Sequence, residues 1–288
     1  MSKAVGVIGL GIMGSAMSAN LAKNGFKVYG FDVLPRARAA LKRAGGVPVD
    51  SISGIKASIV ITSLPSAAAL HSVCSALGAK GMVIVETSTL PIEEKAKARD
   101  TLKKKGITML DCPLSGTGAQ AKVGDLVVFG SGDRKAFART IPTLKGFSRQ
   151  QQYVGEFGNG SKMKFVANLM VAVHNVSAGE AFALGIKAGL RPKDIFDVQA
   201  NSAGTSRMFQ VRGPMMVAGR YDDVTMKNEV WQKDMKIIGD YARTLGVATP
   251  TFKASAGVYK AAMAQGFGQQ DTGAVCAVLE KMSGVRRR

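Results

Sequence analysis

An apolar run over residues 4–8 leads straight into Gly9-Leu10-Gly11-Ile12-Met13-Gly14, and a helix-like stretch follows over 13–23. A G-x-G-x-x-G turn between a strand and a helix leaves few folds open. The first glycine permits the tight turn, the second lets a pyrophosphate approach the backbone, and the third lets helix and strand pack closely. The helix N-terminus then offers unpaired N–H groups to phosphates. Residues 9–14 therefore read as a dinucleotide-binding turn. Asp32 ends the second apolar run, 18 residues past Gly14. A carboxylate there hydrogen-bonds the adenosine ribose and repels a 2′-phosphate, which favours NAD over NADP. Arg36 and Arg38 follow closely and could hold that phosphate, so NADP stays open.

Further strand-like runs fall at 27–31, 58–62, 82–85, 107–110 and 126–129, with amphipathic segments such as 65–76 and 91–104 between them. Short apolar strands alternating with helices predict a parallel α/β sheet. The character changes after Gly158-Asn159-Gly160. Residues 161–190 lack proline and predict one long helix, and helical blocks follow near 192–202, 226–246, 250–265 and 271–283, punctuated by Pro192, Pro214 and Pro250. We expect two domains, 1–160 and 161–288, which suits 288 residues at roughly 100–200 per domain.

Apolar residues make up 46% of the chain and charged residues 20%, which excludes a disordered protein. Cys74, Cys112 and Cys276 are too scattered for a disulfide framework or a zinc cluster, and we expect no metal. A cytoplasmic location fits that usage. No membrane span is expected, and the start at Met1-Ser2-Lys3 leaves no room for a leader. The odd feature is charge: 39 Lys+Arg against 20 Asp+Glu, a net +19. Such an excess allows a nucleic-acid partner, with Lys103-Lys104-Lys105 and Arg286-Arg287-Arg288 as candidate contacts.

Of the groups able to do chemistry, His71 and His174 fall in predicted helices with no carboxylate partner nearby in sequence. Lys164 lies near the start of the long helix. The positive helix end there disfavours an ammonium, and partial burial adds to that effect. This is how a lysine becomes a general acid/base near neutrality. Asn168 is one turn on, on the same face. Asp111-Cys112-Pro113-Leu114-Ser115-Gly116-Thr117-Gly118 follows a predicted strand, at the sheet edge where ligands bind in such folds. Ser115 and the adjoining N–H groups suit a carboxylate.

These motifs occur in one order. Residues 9–14 with Met17, Asn20 and Leu21 come first, and Asp111–Gly116 is similar to D-A-P-V-S-G-G. Gly158-Asn159-Gly160 through Lys164 and Asn168 is similar to G-x-G-x-x-x-K-x-x-N-N, and Lys233-Asp234-Met235 is similar to K-D-L. Over nearly its whole length the chain resembles the β-hydroxyacid dehydrogenases, a family related to 6-phosphogluconate dehydrogenase.

The resemblance implies a Rossmann domain, a long interdomain helix and an all-helical second domain that commonly completes a homodimer or homotetramer. It implies Lys164 as catalytic acid/base and Asn168 as substrate orienter. Ser115, Gly116 and Thr117 would hold the substrate, and Lys233 would reach substrate and cofactor with Asp234 behind it. Leu64, Pro65 and Thr89 match segments lining NAD(P). Three positions depart from the pattern. Cys112 stands for Ala. Thr117 stands for the second loop Gly and adds bulk and a hydroxyl. Ala167 stands for the first Asn of the pair. Residues 203–209 and the stretch around His174 resemble the threonate branch. The implied activity is reversible NAD(P)-linked oxidation of a small hydroxy-carboxylate; the alternative is a non-catalytic scaffold with nucleic-acid affinity.

Overall fold

A computed structural model describes residues 3–287. They divide into two compact units that meet in sequence between Lys164 and Phe165. Met1, Ser2 and Arg288, on which the expectations about a leader and the basic tail partly rest, lie outside the described residues.

The first unit alternates strand and helix: β1 (Ala4–Ile8), α1 (Ile12–Lys23), β2 (Lys27–Phe31), α2 (Pro35–Arg43), β3 (Val47–Pro48), β4 (Ile59–Thr62), α3 (Ala67–Ala76), β5 (Val83–Glu86), α4 (Ile92–Lys104) and β6 (Thr108–Asp111). These six strands form one parallel sheet in the order β3-β2-β1-β4-β5-β6. Successive side chains of a strand point to opposite faces. Accordingly Val5, Val7, Ile61, Val83 and Val85 enter one core, whereas Ile8, Val60 and Ile84 enter the other. A sheet buried on both faces explains the near-continuous apolar strands. Each fully buried Val, Leu or Ile contributes about 1.5–3 kcal/mol.

A smaller sheet follows, formed by β7 (Leu114–Ser115), β8 (Val127–Gly130) and β9 (Gln150–Tyr153), with α5 (Gly118–Lys122) and α6 (Arg134–Lys145) in the connections. β7 pairs antiparallel with β8, so the strands are not all parallel as predicted. Sequence patterning misses β3 and β7 because two residues carry no period. It misses β9 because Gln-Gln-Gln-Tyr is a polar strand.

Helix α7 (Asn159–Lys187) carries the chain into the second unit, whose described residues form α8 (Pro192–Gln199), α9 (Arg207–Ala218), α10 (Asn228–Thr244), α11 (Pro250–Ala264) and α12 (Val275–Met282). Pro192 and Pro250 each open a helix, where a missing N–H costs nothing. Pro214 does not break the chain as expected but lies inside α9. An interior proline costs about 3 kcal/mol, and α9 offsets this by burying Phe209, Arg212 and Met216. By length and composition alone α7 would suit a membrane span. Its Asn168 and Asn175, however, pair with Asp234 and Tyr259 inside the unit, as in a core helix.

The second unit is pinned by an ion pair with almost no exposure. Arg212 Nε donates to Asp271 Oδ1 at 2.8 Å, and Asp271 Oδ2 accepts from the Thr225 N–H and hydroxyl at 2.8 and 2.7 Å. Burial alone would raise the Asp271 carboxyl. Arg212, the Gly273 amide and Thr225 reverse that and hold it below the ordinary aspartate range.

Several cations cap helix ends. Lys105 donates to the carbonyls of Cys74, Ser75 and Leu77 at the end of α3, Lys187 to Ser283 and Gly284 just beyond α12, and Arg287 to Met216 and Val217 at the end of α9. Cations suit these carbonyl ends. One member of each basic run is therefore committed to the fold.

Because the depressed Asp271 carboxyl contributes stability that is present above its unfolded pKa, that contribution should disappear as pH falls through and below the ordinary carboxylate range. Asp271→Asn should destabilise the second unit by about 3–5 kcal/mol, as expected for breaking a buried pair. Urea denaturation followed by Trp231, the single tryptophan, measures both effects.

Candidate active site

The loops after β1, β2, β4, β5 and β6 emerge at the carboxyl edge of one parallel sheet, with the glycine turn at the point where strand order reverses between β1 and β4. Ligands bind at such a crevice. The three turn glycines differ in what the fold asks of them. Gly9 has φ +88°, and a Cβ there would strike the Ser63 carbonyl oxygen. A Cβ on Gly14 would strike the carbonyl oxygen of Gly9. A Cβ on Gly11 would meet nothing within 4 Å, and its φ of −67° suits any residue. The fold needs glycine at 9 and 14, while the bare backbone at position 11 leaves room for another molecule to approach. Among the described residues no side chain caps α1, so its first-turn amides suit a pyrophosphate.

Asp32 clasps this turn. Its Oδ2 accepts from Leu10 N at 2.7 Å and its Oδ1 from Leu34 N at 2.8 Å. Each oxygen retains a second lone pair for a ribose hydroxyl. Arg38 donates to the Asp32 carbonyl oxygen at 2.7 Å, whereas Arg36 is exposed. This chemistry fits a dinucleotide: a bare turn for the phosphates and a carboxylate for the ribose.

Next along the edge come Leu64 and Pro65 after β4 and Thr89 after β5. The first two are tied to the β5 segment, because Leu64 N donates to Ser88 Oγ at 2.8 Å. Ser88 N in turn donates to both Glu86 oxygens, at 3.1 and 3.0 Å. Glu86 and Asp111 are register partners on neighbouring strands, two carboxylates side by side at the sheet edge. Between them lies Lys95 of α4, its Nζ 2.9 Å from Glu86 and 2.8 Å from Asp111. All three side chains are 0% exposed. Burial alone would lower Lys95, but the two carboxylates more than reverse this and raise it. Glu86 is raised by burial, against the pull of Lys95, with Asp111 adding to the rise.

Asp111 also reaches α7. Its Oδ2 accepts from Ser161 N at 2.7 Å and its Oδ1 from Ser161 Oγ at 2.8 Å. Gly160 N donates to Ser131 Oγ at 3.0 Å, and Ser131 Oγ donates to the Asp111 carbonyl oxygen at 3.1 Å. A Cβ at Gly160 would collide with the carbonyl oxygens of Phe129 and Asp111, so glycine is required for this approach. The positive end of α7 thus faces Asp111, while half-buried Lys164 lies in the second turn, past most of that field.

The loop beyond Asp111 carries Ser115 in β7, then Gly116 at φ +137°, where a Cβ would also strike Leu126. Thr117 is buried, and its N–H donates to Gln120 Oε1 at 3.0 Å. Asn20, from the first motif, donates to the Ala121 carbonyl at 2.7 Å and so ties α5 to α1. Cys112 is wholly buried and its thiol is pushed up by that burial, so the exchange for alanine introduces no reactive group.

Within the second unit, Asn168 Nδ2 donates to Asp234 Oδ2 at 3.0 Å, and Lys233 Nζ is 3.5 Å from Asp234 Oδ1. One carboxylate thus orients both residues singled out there. The histidines separate from this chemistry. His71 does have a carboxylate partner, Glu94, at 2.7 Å, which lies 23 residues away and is invisible to local spacing. His174 lines a groove of about 720 Å³ with Leu184, Val198 and Phe209. No cluster of potential metal ligands occurs among the described residues. Sequence reasoning misses Glu86, Lys95, Ser131 and Ser161. The available signal was a carboxylate closing each of two adjacent apolar strands; Lys95 is hidden among the alternating charges of α4.

Residues 4–155 match the family model for the NAD binding domain of 6-phosphogluconate dehydrogenase, and residues 158–279 match that for the NAD-binding of NADP-dependent 3-hydroxyisobutyrate dehydrogenase. The chain is 31% identical to L-threonate dehydrogenase of Cupriavidus necator, covering 96% of each. It belongs to the β-hydroxyacid dehydrogenase family. This is a family of NAD(P)-dependent oxidoreductases acting on CH–OH groups. Another β-hydroxyacid dehydrogenase, 2-(hydroxymethyl)glutarate dehydrogenase of Eubacterium barkeri, is 28% identical over 98% of this chain and 96% of its own. Among solved structures, a 3-hydroxyisobutyrate dehydrogenase from Salmonella typhimurium superposes with a TM-score of 0.87 at 27% identity, covering 96% of this chain and 99% of its own. The Rossmann unit and the helical second unit are thus the family's fold.

Gly11→Val should leave the melting temperature nearly unchanged while crowding the pyrophosphate by about 1–3 kcal/mol, roughly a 10- to 100-fold weaker Kd for NAD⁺. Gly14→Ala should instead destabilise the fold. Calorimetric titration beside thermal denaturation separates the two.

Proposed function

We propose that this protein is an NAD-preferring dehydrogenase that reversibly oxidises a small 3-hydroxy acid, with Lys164 as general acid/base. The observation that carries this reading is the single carboxylate of Asp111. It anchors the first turn of the Lys164 helix and begins the loop that presents Ser115 and Gly116.

A bound nicotinamide would supply the hydride chemistry. The residues of the chain handle the proton and the charge. The Ser115 hydroxyl and the Gly116 N–H bind the substrate carboxylate, with buried Thr117 bounding the space beside it. Neutral Lys164 accepts the hydroxyl proton at Nζ as the carbon loses hydride. In reduction the Lys164 ammonium returns that proton to the carbonyl oxygen. Asn168 orients the reacting hydroxyl, and Lys233, steadied by Asp234, provides further positive charge for substrate and cofactor.

Leu64, Pro65 and Thr89 line the cofactor, and Gly9 through Gly14 hold its phosphates. NAD is favoured because the Asp32 carboxylate opposes a 2′-phosphate and Arg38 is engaged with the Asp32 carbonyl. The relatedness to an L-threonate dehydrogenase along nearly the whole chain supports a four-carbon sugar acid or a 3-hydroxyisobutyrate-like acid. Oxidation of a secondary alcohol gives a 3-keto acid, and oxidation of a primary alcohol gives a semialdehyde. Among the described residues, one member of each basic run holds a helix end, which weighs against the nucleic-acid scaffold.

Absorbance at the reduced-nicotinamide band, with NAD⁺ or NADP⁺ and L-threonate, 3-hydroxyisobutyrate, glycerate, 4-hydroxybutyrate or serine, identifies the substrate. With that substrate, Lys164→Ala should lower kcat about 10²- to 10⁴-fold and leave NAD⁺ affinity nearly intact. A near-wild-type rate would overturn the lysine mechanism. Asp32→Asn should move cofactor preference toward NADP by roughly tenfold or more, since it removes the charge facing the 2′-phosphate.

A further inference from the structure

The Glu86–Lys95–Asp111 cluster is more elaborate than stability requires. A buried ion pair is weak evidence for stability, because well-packed apolar residues of similar volume often do as well or better. Here two carboxylates share one cation, so with all three ionised a net negative charge is sealed inside the sheet edge. What distinguishes the cluster is where its remaining hydrogen bonds go. Glu86 accepts from Ser88, whose hydroxyl accepts from Leu64. Asp111 accepts twice from Ser161 and, through its carbonyl and Ser131, is linked to Gly160. These bonds reach the segment assigned to cofactor and the lysine helix, and Asp111 itself begins the loop assigned to substrate. A helix is rigid over one turn, so fixing the Gly160 and Ser161 amides fixes the axial position and rotation of Lys164, three residues on.

We propose that Glu86, Lys95, Asp111 and Ser161 are positioning residues for Lys164. In this arrangement Lys95 clamps Asp111, and Asp111 sets the first turn of α7 relative to the Ser115–Gly116 loop. The inference rests on the reading of Lys164 as the acid/base. The residues act through that lysine and touch neither substrate nor cofactor.

The test uses the intact enzyme, with NAD⁺ and the hydroxy acid selected by the absorbance panel. Ser161→Ala removes one hydroxyl from Asp111 and keeps the backbone bond. Its kcat should fall between about ten- and a hundredfold, the scale of a small misplacement, with KM and NAD⁺ Kd little changed. Amide exchange in the peptide covering Gly160 and Ser161 should quicken. The double variant Ser161→Ala/Lys164→Ala should be no slower than Lys164→Ala alone, because the two act on one step.

Lys95→Met leaves the two carboxylates facing each other with no cation between them, a threat to folding, so Glu86→Gln/Lys95→Met is made beside it. That pair should recover the melting temperature yet keep the low kcat. Return of wild-type kcat together with stability would show that the cluster serves stability alone and would overturn the proposal. So would wild-type kcat in Ser161→Ala. Turnover surviving in Lys164→Ala by itself marks failure of the lysine reading instead, and is told apart because it needs no change in the cluster.

Discussion

The carboxylate of Asp111 is the point on which the first unit turns. It closes a strand, pairs with a buried lysine and receives a first-turn amide of α7, the 29-residue helix. Removing charge from water is costly, and the cost is met only when every lone pair is used. Lys95 and Ser161 share Oδ1, and the Ser161 amide takes Oδ2. The requirement propagates outward. Gly160 must lack a side chain for the helix to come close enough, and Ser131 must supply a hydroxyl for the next amide. Residues far apart in sequence thereby become necessary to one anchor.

Much of this was legible in the sequence, and the reason is physical. β1, β2 and β4 are short apolar runs buried on both faces, and the turn at Gly9–Gly14 is local. Segments whose conformation is decided by neighbours in sequence can be read from it. Lys164 and Asn168 are one helical turn apart, again a local relation. The failures share the opposite property. β7 and β9 exist because β8 lies beside them, and Pro214 is tolerated because tertiary packing of α9 outweighs a local penalty. The His71–Glu94 pair and the Glu86–Lys95–Asp111 cluster join residues that only the sheet brings together. Lys95 in particular looks like a solvated helix lysine, set among Glu93, Glu94 and Lys97, until α4 is docked on the sheet.

The glycine turn shows how one motif can hold two kinds of information. Glycines 9 and 14 answer to sterics inside the chain, whereas glycine 11 answers to something outside it. A strand–turn–helix unit could keep the first and third and lose the second without losing its fold. In the proposed reading, position 11 and Asp32 carry the part of the motif that the fold itself does not require.

The cations on helix ends change how the net charge of +19 should be weighed. Lys105, Lys187 and Arg287 each rest against carbonyl oxygens that carry partial negative charge, so they project less field into solvent than a tally of side chains implies. They are also the cations least open to exchange. Neutralising exposed Lys103 or Lys104 would lower the pI at little structural expense, while the same edit one residue later would unfasten the end of α3. For anyone trimming the charge of this enzyme to improve its behaviour on a column or in a crystal, the usable positives are fewer than the composition suggests, and the run Lys103-Lys104-Lys105 divides between them.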